Sequence, residues 1–389
     1  MTFTTPDKPV DLAVLFPELA GLARTAVRLH PWQGEVTPQE SSLGGPLLWP
    51  ADEPWPVCTV DHDDPRPLAS AEGREVQRRR DELGERLNEL ARAGEHAAVG
   101  PLYPEFQALE AEIREFRRAE YAENPAMALP MVAIAQFYAR DLPELPFPEG
   151  TDVCQVLWCP IDHEPHYAPR PEVHWRTAAT ASEVATAPEP NSELSDDCYL
   201  PAPCRITPDR VREFPELADL SSDELRERIE KWEKDQDWGY NENLSAAPGT
   251  KIGGWISWIQ DPVWPECAQG HQMAHLLTVA TAESGSRSWK TWLPVEALAS
   301  TKFEKRVRFA LADGRTTSTS IGVDEQFDPT TFTMLGQSVV PESVEEEIIP
   351  VPDNEPGRLD LMLGDCGDVY LFVCPTCPDR PVAVEFQCG

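Results

Sequence analysis

Residues 43–58 read LGGPLLWPADEPWPVC, and residues 252–267 read IGGWISWIQDPVWPEC. Aligned without a gap, the two stretches share an aliphatic residue, a Gly-Gly pair and a tryptophan four positions after the second glycine (Trp49, Trp258). Both close on Trp-Pro-x-Cys, and a histidine follows four residues after each cysteine: Cys58/His62 and Cys267/His271. Composition alone predicts about 0.03 Trp-Pro-x-Cys strings in such a chain, so two in register point to an internal duplication. The Gly-Gly pairs precede bulky rings, where the backbone needs a positive φ or a close approach. They are not phosphate loops, because no Lys-Ser/Thr follows and no G-x-G-x-x-G opens a helix.

The parallel extends along the chain. Met131-Val-Ala-Ile-Ala-Gln136 matches Met273-Ala-His-Leu-Leu-Thr278. Asp152-Val153, leading to Leu157-Trp158-Cys159-Pro160, matches Asp368-Val369, leading to Phe372-Val373-Cys374-Pro375. The expected fold class is α+β: internally duplicated, mainly antiparallel β-sheet units packed about a pseudo-two-fold axis, with an inserted helical hairpin. The N-terminal half-repeat spans 1–175 and includes the hairpin at 72–123. Residues 176–250 read as a linker with a charged helix opened by Ser221-Ser222-Asp223-Glu224, and 251–389 form the C-terminal half-repeat.

The hairpin is the clearest helical segment. Val76, Leu83, Leu87 and Leu90 share one face, Phe106, Leu109, Ile113 and Phe116 another, and Gly94 to Pro104 make the turn. Charges of both signs fill the remaining positions and read as a solvated face. Residues 10–29 carry Leu12, Leu15, Leu19, Leu22, Ala26 and Leu29 at three- and four-residue steps, the pattern of an amphipathic helix broken or restarted at Pro17. Short β-like runs fall at 131–137, 153–158, 275–280, 306–312 and 369–373. Residues 341–357, with four prolines among acids, read as a loop.

Across 389 residues the charge is −34, from 33 basic and 67 acidic side chains. That balance repels a phosphate backbone or an anionic bilayer, so neither nucleic acid nor membrane is an expected partner; the partner expected is an unidentified protein. The N-terminus lacks the basic region of a signal peptide, and no run approaches 18 apolar residues, so a cytoplasmic chain is expected. In a reducing compartment its ten cysteines read as thiols or metal ligands rather than disulfides.

Cys374-Pro-Thr-Cys377 places two thiolates where one Zn²⁺ can bind both from a tight turn, and Cys267 with His271 supplies the second pair. The first half offers Cys58, His62, Cys159 and His163 at matching places, so the duplication predicts one four-ligand site per half. Cys388 is an alternative to His271 in the second site. With four protein ligands the zinc would be structural, since no coordination position stays open. The other reading of Cys374/Cys377, a redox dithiol, lacks the following helix that lowers a thiol's pKa. Isolated cysteines such as Cys198, Cys204 and Cys366 read as small buried hydrophobes. Nucleophile-elbow, zincin and P-loop motifs are missing, which favours a non-enzymatic binding protein. The alternative is a hydrolase using His163 or His166 in a cleft between the halves.

Several of these stretches together resemble the YwqG-like family, bacterial proteins carrying a domain of unknown function. The resemblance rests on SSLGGPLLWP (Ser42, Gly44, Gly45, Trp49, Pro50), the strand block around Gln136, KIGGWISWIQDP (Gly253, Gly254, Gln260) and GDCGDVYLF (Gly364, Asp365, Gly367, Tyr370, Phe372). It spans 25–175 and 250–389. It implies an α+β fold with internal duplication, no established reaction, and a protein-binding or immunity-like role. The helical hairpin and the Cys/His sets depart from the family pattern, and Thr278 stands where a second glutamine is expected.

Overall fold

In the computed structural model the described residues are 3–58, 66–124, 128–163, 167–180, 183–190, 195–285, 287–299, 301–310, 316–326, 333–334, 337–338, 343–351 and 359–389. The strands in chain order begin with β1 (Arg24–Arg28), β2 (Trp32–Gln33), β3 (Ser42–Leu43), β4 (Val57–Cys58), β5 (Leu129–Pro130), β6 (Val132–Tyr138), β7 (Val153–His163) and β8 (Ala168–Arg176). Next come β9 (Cys204–Arg205), β10 (Asp209–Glu213), β11 (Lys251–Gly253) and β12 (Ala274–Ala280). The last are β13 (Phe303–Ala310), β14 (Thr316–Gly322), β15 (Thr333–Met334), β16 (Gln337–Ser338), β17 (Ser343–Pro350), β18 (Asp368–Val373) and β19 (Val382–Gln387). The fold is α+β, built on two six-stranded antiparallel sheets ordered β2-β9-β3-β6-β7-β8 and β10-β1-β11-β12-β18-β19.

The two orders correspond strand for strand. Leu43 pairs with Ala135 and Cys204, as Ile252 pairs with Leu277 and Val27. The register of β6 on β7 breaks between Ala133 and Ala135, and that of β12 on β18 breaks at the aligned place, between His275 and Leu277. The leading strands are exchanged: β1, early in the chain, lies beside β11, whereas β9, some 180 residues later, lies beside β3. Each continues after a short connection into an edge strand of the opposite sheet, with Trp32 facing Arg205 and Arg28 facing Asp209. Residues 176–250 therefore supply strands to both sheets as well as connecting the halves.

Alternation sorts the side chains by face. Cys154, Val156 and Trp158 of β7 meet Val369, Leu371 and Val373 of β18 in one core between the sheets. On the outer face of the second sheet, Ile256, Trp258, Trp264, Met273 and Phe372 pack together. On the outer face of the first, the aligned residues Leu47, Trp49, Trp55, Met131 and Leu157 do the same. The glycine pairs permit these turns. A side chain at Gly44 (φ +61°) would place its Cβ 2.5 Å from the Ala202 carbonyl oxygen, and one at Gly254 (φ +72°) would place it 2.2 Å from Glu213 Oε2.

Two sequence expectations are corrected. Residues 10–29 are not one helix: a single turn at Leu12–Leu15 and a 3₁₀ segment at Pro17–Leu22 give way to β1. Pro17 removes the N–H that would carry the helix on, Leu12, Phe16 and Leu19 pack on Phe214, Leu220 and Leu225, and Arg24–Arg28 is hydrogen-bonded on both edges. Within 341–357, Ser343–Pro350 is a strand, paired along its length with β13. Its three consecutive acids, Glu345 to Glu347, face solvent or bases, so the composition resembled that of a loop.

The hairpin forms as helices Ala71–Arg92 and Tyr103–Glu123, with the short helix His96–Val99 between them. Ser70 caps the first by accepting from the Gly73 N–H at 2.9 Å. Val76, Leu90, Leu109 and Tyr121 are buried, yet none joins the core between the sheets. Replacing 72–123 by a short Gly/Ser linker should therefore leave a protein that unfolds in one cooperative transition, followed by circular dichroism in urea. A non-cooperative product would place the hairpin in the folding core.

Candidate metal centres

The tryptophan loop that follows β11 ends in a turn. The Gly270 N–H donates to the Cys267 carbonyl (2.8 Å), and the Cys267 N–H donates to the His271 carbonyl (2.9 Å). Gly270, at φ +75°, folds His271 back over Cys267. Opposite, β18 runs out at Val373 and the chain turns through Cys374-Pro-Thr-Cys377. The Cys377 N–H donates to Cys374 Sγ (3.3 Å), and the Arg380 N–H to the Cys377 carbonyl (3.1 Å). The Arg380 guanidinium donates to the carbonyls of Cys374 and Pro375, pinning the turn from outside.

These two turns bring Cys267, His271, Cys374 and Cys377 together, with their donor atoms all within 4.8 Å of one another; the cluster could hold a metal ion. His271 Nδ1 lies 3.6, 3.7 and 3.4 Å from the sulfurs of Cys267, Cys374 and Cys377, and the Cys267 and Cys377 sulfurs are 3.9 Å apart. A tetrahedral zinc, with sulfur at about 2.3 Å and nitrogen at about 2.0 Å, sets those edges at about 3.5 and 3.8 Å. The three cysteines are buried and His271 is half-buried. Burial raises the Cys374 thiol, but N–H groups of Cys377 and Thr376 and the His271 ring outweigh it and hold the thiol at about 6. Burial and the adjoining thiols push Cys377 up to about 12. Cys388, the alternative to His271, lies outside the cluster, and its carbonyl accepts from Gln260.

In the first half, Cys58, Cys159 and His163 form a corresponding group of three, all buried. Cys58 sits at the end of β4, opposite Leu129. His163 Nε2 is 3.3 Å from Cys58 Sγ, and its Nδ1 is 2.9 Å from the Ile161 carbonyl oxygen. His62 and His166 lie outside the described residues. An open groove of about 600 Å³ lies between β8 and β19; His163, Arg170 and His174 line one side and Asp379 and Arg380 the other. Of the isolated cysteines, Cys204 is buried as expected, whereas Cys198 and Cys366 are exposed. Both stand on polar turns outside the apolar clusters, so spacing alone gave no sign of their exposure.

A set of acids beneath the tryptophan loop escaped the sequence reading. Asp219 accepts from the indole N–H groups of Trp258 (3.0 Å) and Trp264 (2.6 Å). Glu213, fully buried, accepts from Lys251 Nζ (2.7 Å) and from the N–H groups of Ala247 and Trp255. Glu216 accepts from the Trp258 N–H and the Ser257 hydroxyl. The only sequence signal is the three-residue spacing of acids in EFPELAD, at 213–219, among apolar neighbours.

No family model matches this chain, and no curated protein matches it.

Burial, reinforced by Asp219, pushes the Glu216 carboxyl up to about 8, against the Trp258 N–H, the Ser257 hydroxyl and Lys251. The folded state therefore keeps a proton that the unfolded chain releases at about 4.3. This share of stability is present below that value and is lost as pH rises through about 8, at up to about 1.4 kcal/mol per pH unit. Urea titrations from pH 5 to 8 should show wild-type stability declining and Glu216→Gln declining less. Equal slopes would mean that Glu216 ionises in the fold as it does in the open chain.

Proposed function

We propose that this chain is a non-enzymatic binding protein of the cytoplasm, stabilised by structural zinc at Cys267, His271, Cys374 and Cys377. The observation that carries the reading is the convergence of three thiols and one imidazole at tetrahedral edge lengths from two turns far apart in sequence. The donor set suits zinc: soft thiolates with a borderline nitrogen, and four protein ligands that leave no position for substrate. A closed zinc acts as a cross-link between the tryptophan loop and the end of β18. Its binding energy becomes folding energy, because the unfolded chain presents no formed site.

We also propose that the two halves are copies of one unit related by a pseudo-two-fold axis. Matching strand order, register breaks and outer-face clusters support this. The resemblance to the YwqG-like family supports a protein-binding or immunity-like role, and the charge of −34 counts against nucleic acid and anionic lipid. Among the described residues no helix is long and apolar enough to cross a membrane. For the hydrolase alternative, His163 faces Cys58 and the Ile161 carbonyl, and His166 lies outside the described residues.

Elemental analysis of the purified protein tests the zinc. Replacing Cys374 and Cys377 together by serine should remove the zinc bound at this cluster and lower the melting temperature, whereas Cys198→Ser should change neither. The lost stabilisation amounts to about 4 kcal/mol where free zinc exceeds Kd by about a thousandfold. Zinc content and melting temperature unchanged by the double replacement would remove the proposal.

A further inference from the structure

We propose that Cys58, Cys159 and His163 hold a second zinc ion, separate from the first and more readily exchanged. The inference rests on the geometry of the first half, and its correspondence to the second half supports it.

Cys58 occupies the place of Cys267 at the end of the tryptophan loop, and Cys159 the place of Cys374 at the end of the strand core. Downstream of Cys159 the two halves diverge. Where the second half turns sharply into Cys377, β7 runs on, its register against β8 slipping between Cys159 and Asp162. Asp162 stands where Cys377 would, but its carboxylate is engaged by the Tyr199 hydroxyl at 2.5 Å. The slip carries the chain one residue further, and His163 supplies a nitrogen in place of the missing sulfur.

His163 is oriented as a ligand. With Nδ1–H donated to the Ile161 carbonyl at 2.9 Å, the ring is fixed in the tautomer whose Nε2 lone pair faces Cys58 Sγ. That carbonyl contact is the usual outer-shell support of a metal-bound imidazole. The two thiols are buried beside Leu129 and Ile161. Donor atoms within 4.8 Å of one another make room for one ion bound by all three side chains.

Faster exchange follows from composition and position. Two thiolates and one imidazole hold zinc with less charge than three thiolates and one imidazole. His163 also lines the groove between β8 and β19, which opens to solvent and gives a competing chelator a route to the metal.

Full-length protein, stripped of metal under reducing conditions and reloaded with zinc, should bind two equivalents, one of which passes quickly to a colorimetric chelator. Cys159→Ser and, independently, His163→Ala should each reduce the stoichiometry to one and abolish the fast phase while leaving the slow one. If the serine variant fails to fold, cobalt titration of the wild type decides instead: two steps are expected, the second with the weaker sulfur charge-transfer band. Saturation at one equivalent, or a fast phase that survives both variants, would overturn the proposal. A slow phase alone, abolished by replacing Cys374 and Cys377, would keep the first centre and eliminate this one.

Discussion

The buried carboxylate of Glu213 is the junction on which the second half depends. It lies on the last residue of edge strand β10, yet it receives Lys251 from β11 and the N–H groups of Ala247 and Trp255 from either side of that strand. One side chain thus ties the sheet edge to the start of the tryptophan loop. Removing one member of such a buried pair costs about 3–5 kcal/mol, because the other charge is left without a counter-ion. Gly254 belongs to the same junction, since any Cβ there would collide with this carboxylate. Glycine at this turn answers a steric demand set by an ion pair, as much as a demand of φ.

From that junction the order passes outward. The fixed start of the loop sets Trp255, whose indole donates to the Leu22 carbonyl, and then Trp258 and Trp264, both held by Asp219. Their rings meet edge to face at 5.6 Å, and Trp264 also meets Phe372 at 5.7 Å. The aromatic pack seats the loop on the outer face of the sheet and delivers Cys267 to the end of β18. The Cys/His cluster is therefore the far end of a chain of contacts that begins at a carboxylate, and the aromatic residues between them are its supports.

Much of this was legible in the sequence, and the division has a physical cause. The repeated Gly-Gly, Trp and Trp-Pro-x-Cys positions lie within one continuous stretch in each half, so they survive as pattern in the chain. The Cys374/Cys377 turn and the hairpin are likewise local. The leading strands were not legible. Arg-Thr-Ala-Val-Arg at 24–28 and Cys-Arg at 204–205 are short, and their extended form comes from partners distant in sequence. Leucines placed for packing on Phe214 and Leu225 imitated helical periodicity over 10–29. The acids at 213–219 stayed hidden because burial of a carboxylate is decided by groups that only the fold assembles.

The exchange of β1 and β9 also governs the order in which the molecule is made. During synthesis the first sheet has β3, β6, β7 and β8 before residues 204–205 leave the ribosome, so the edge of β3 stays unpaired over that interval. β1 waits longer still, until β11 appears more than 200 residues later. Neither half can complete its sheet as it emerges. The nascent chain is a single folding unit that closes late, and an arrest between the halves leaves open sheet edges in place of a finished domain.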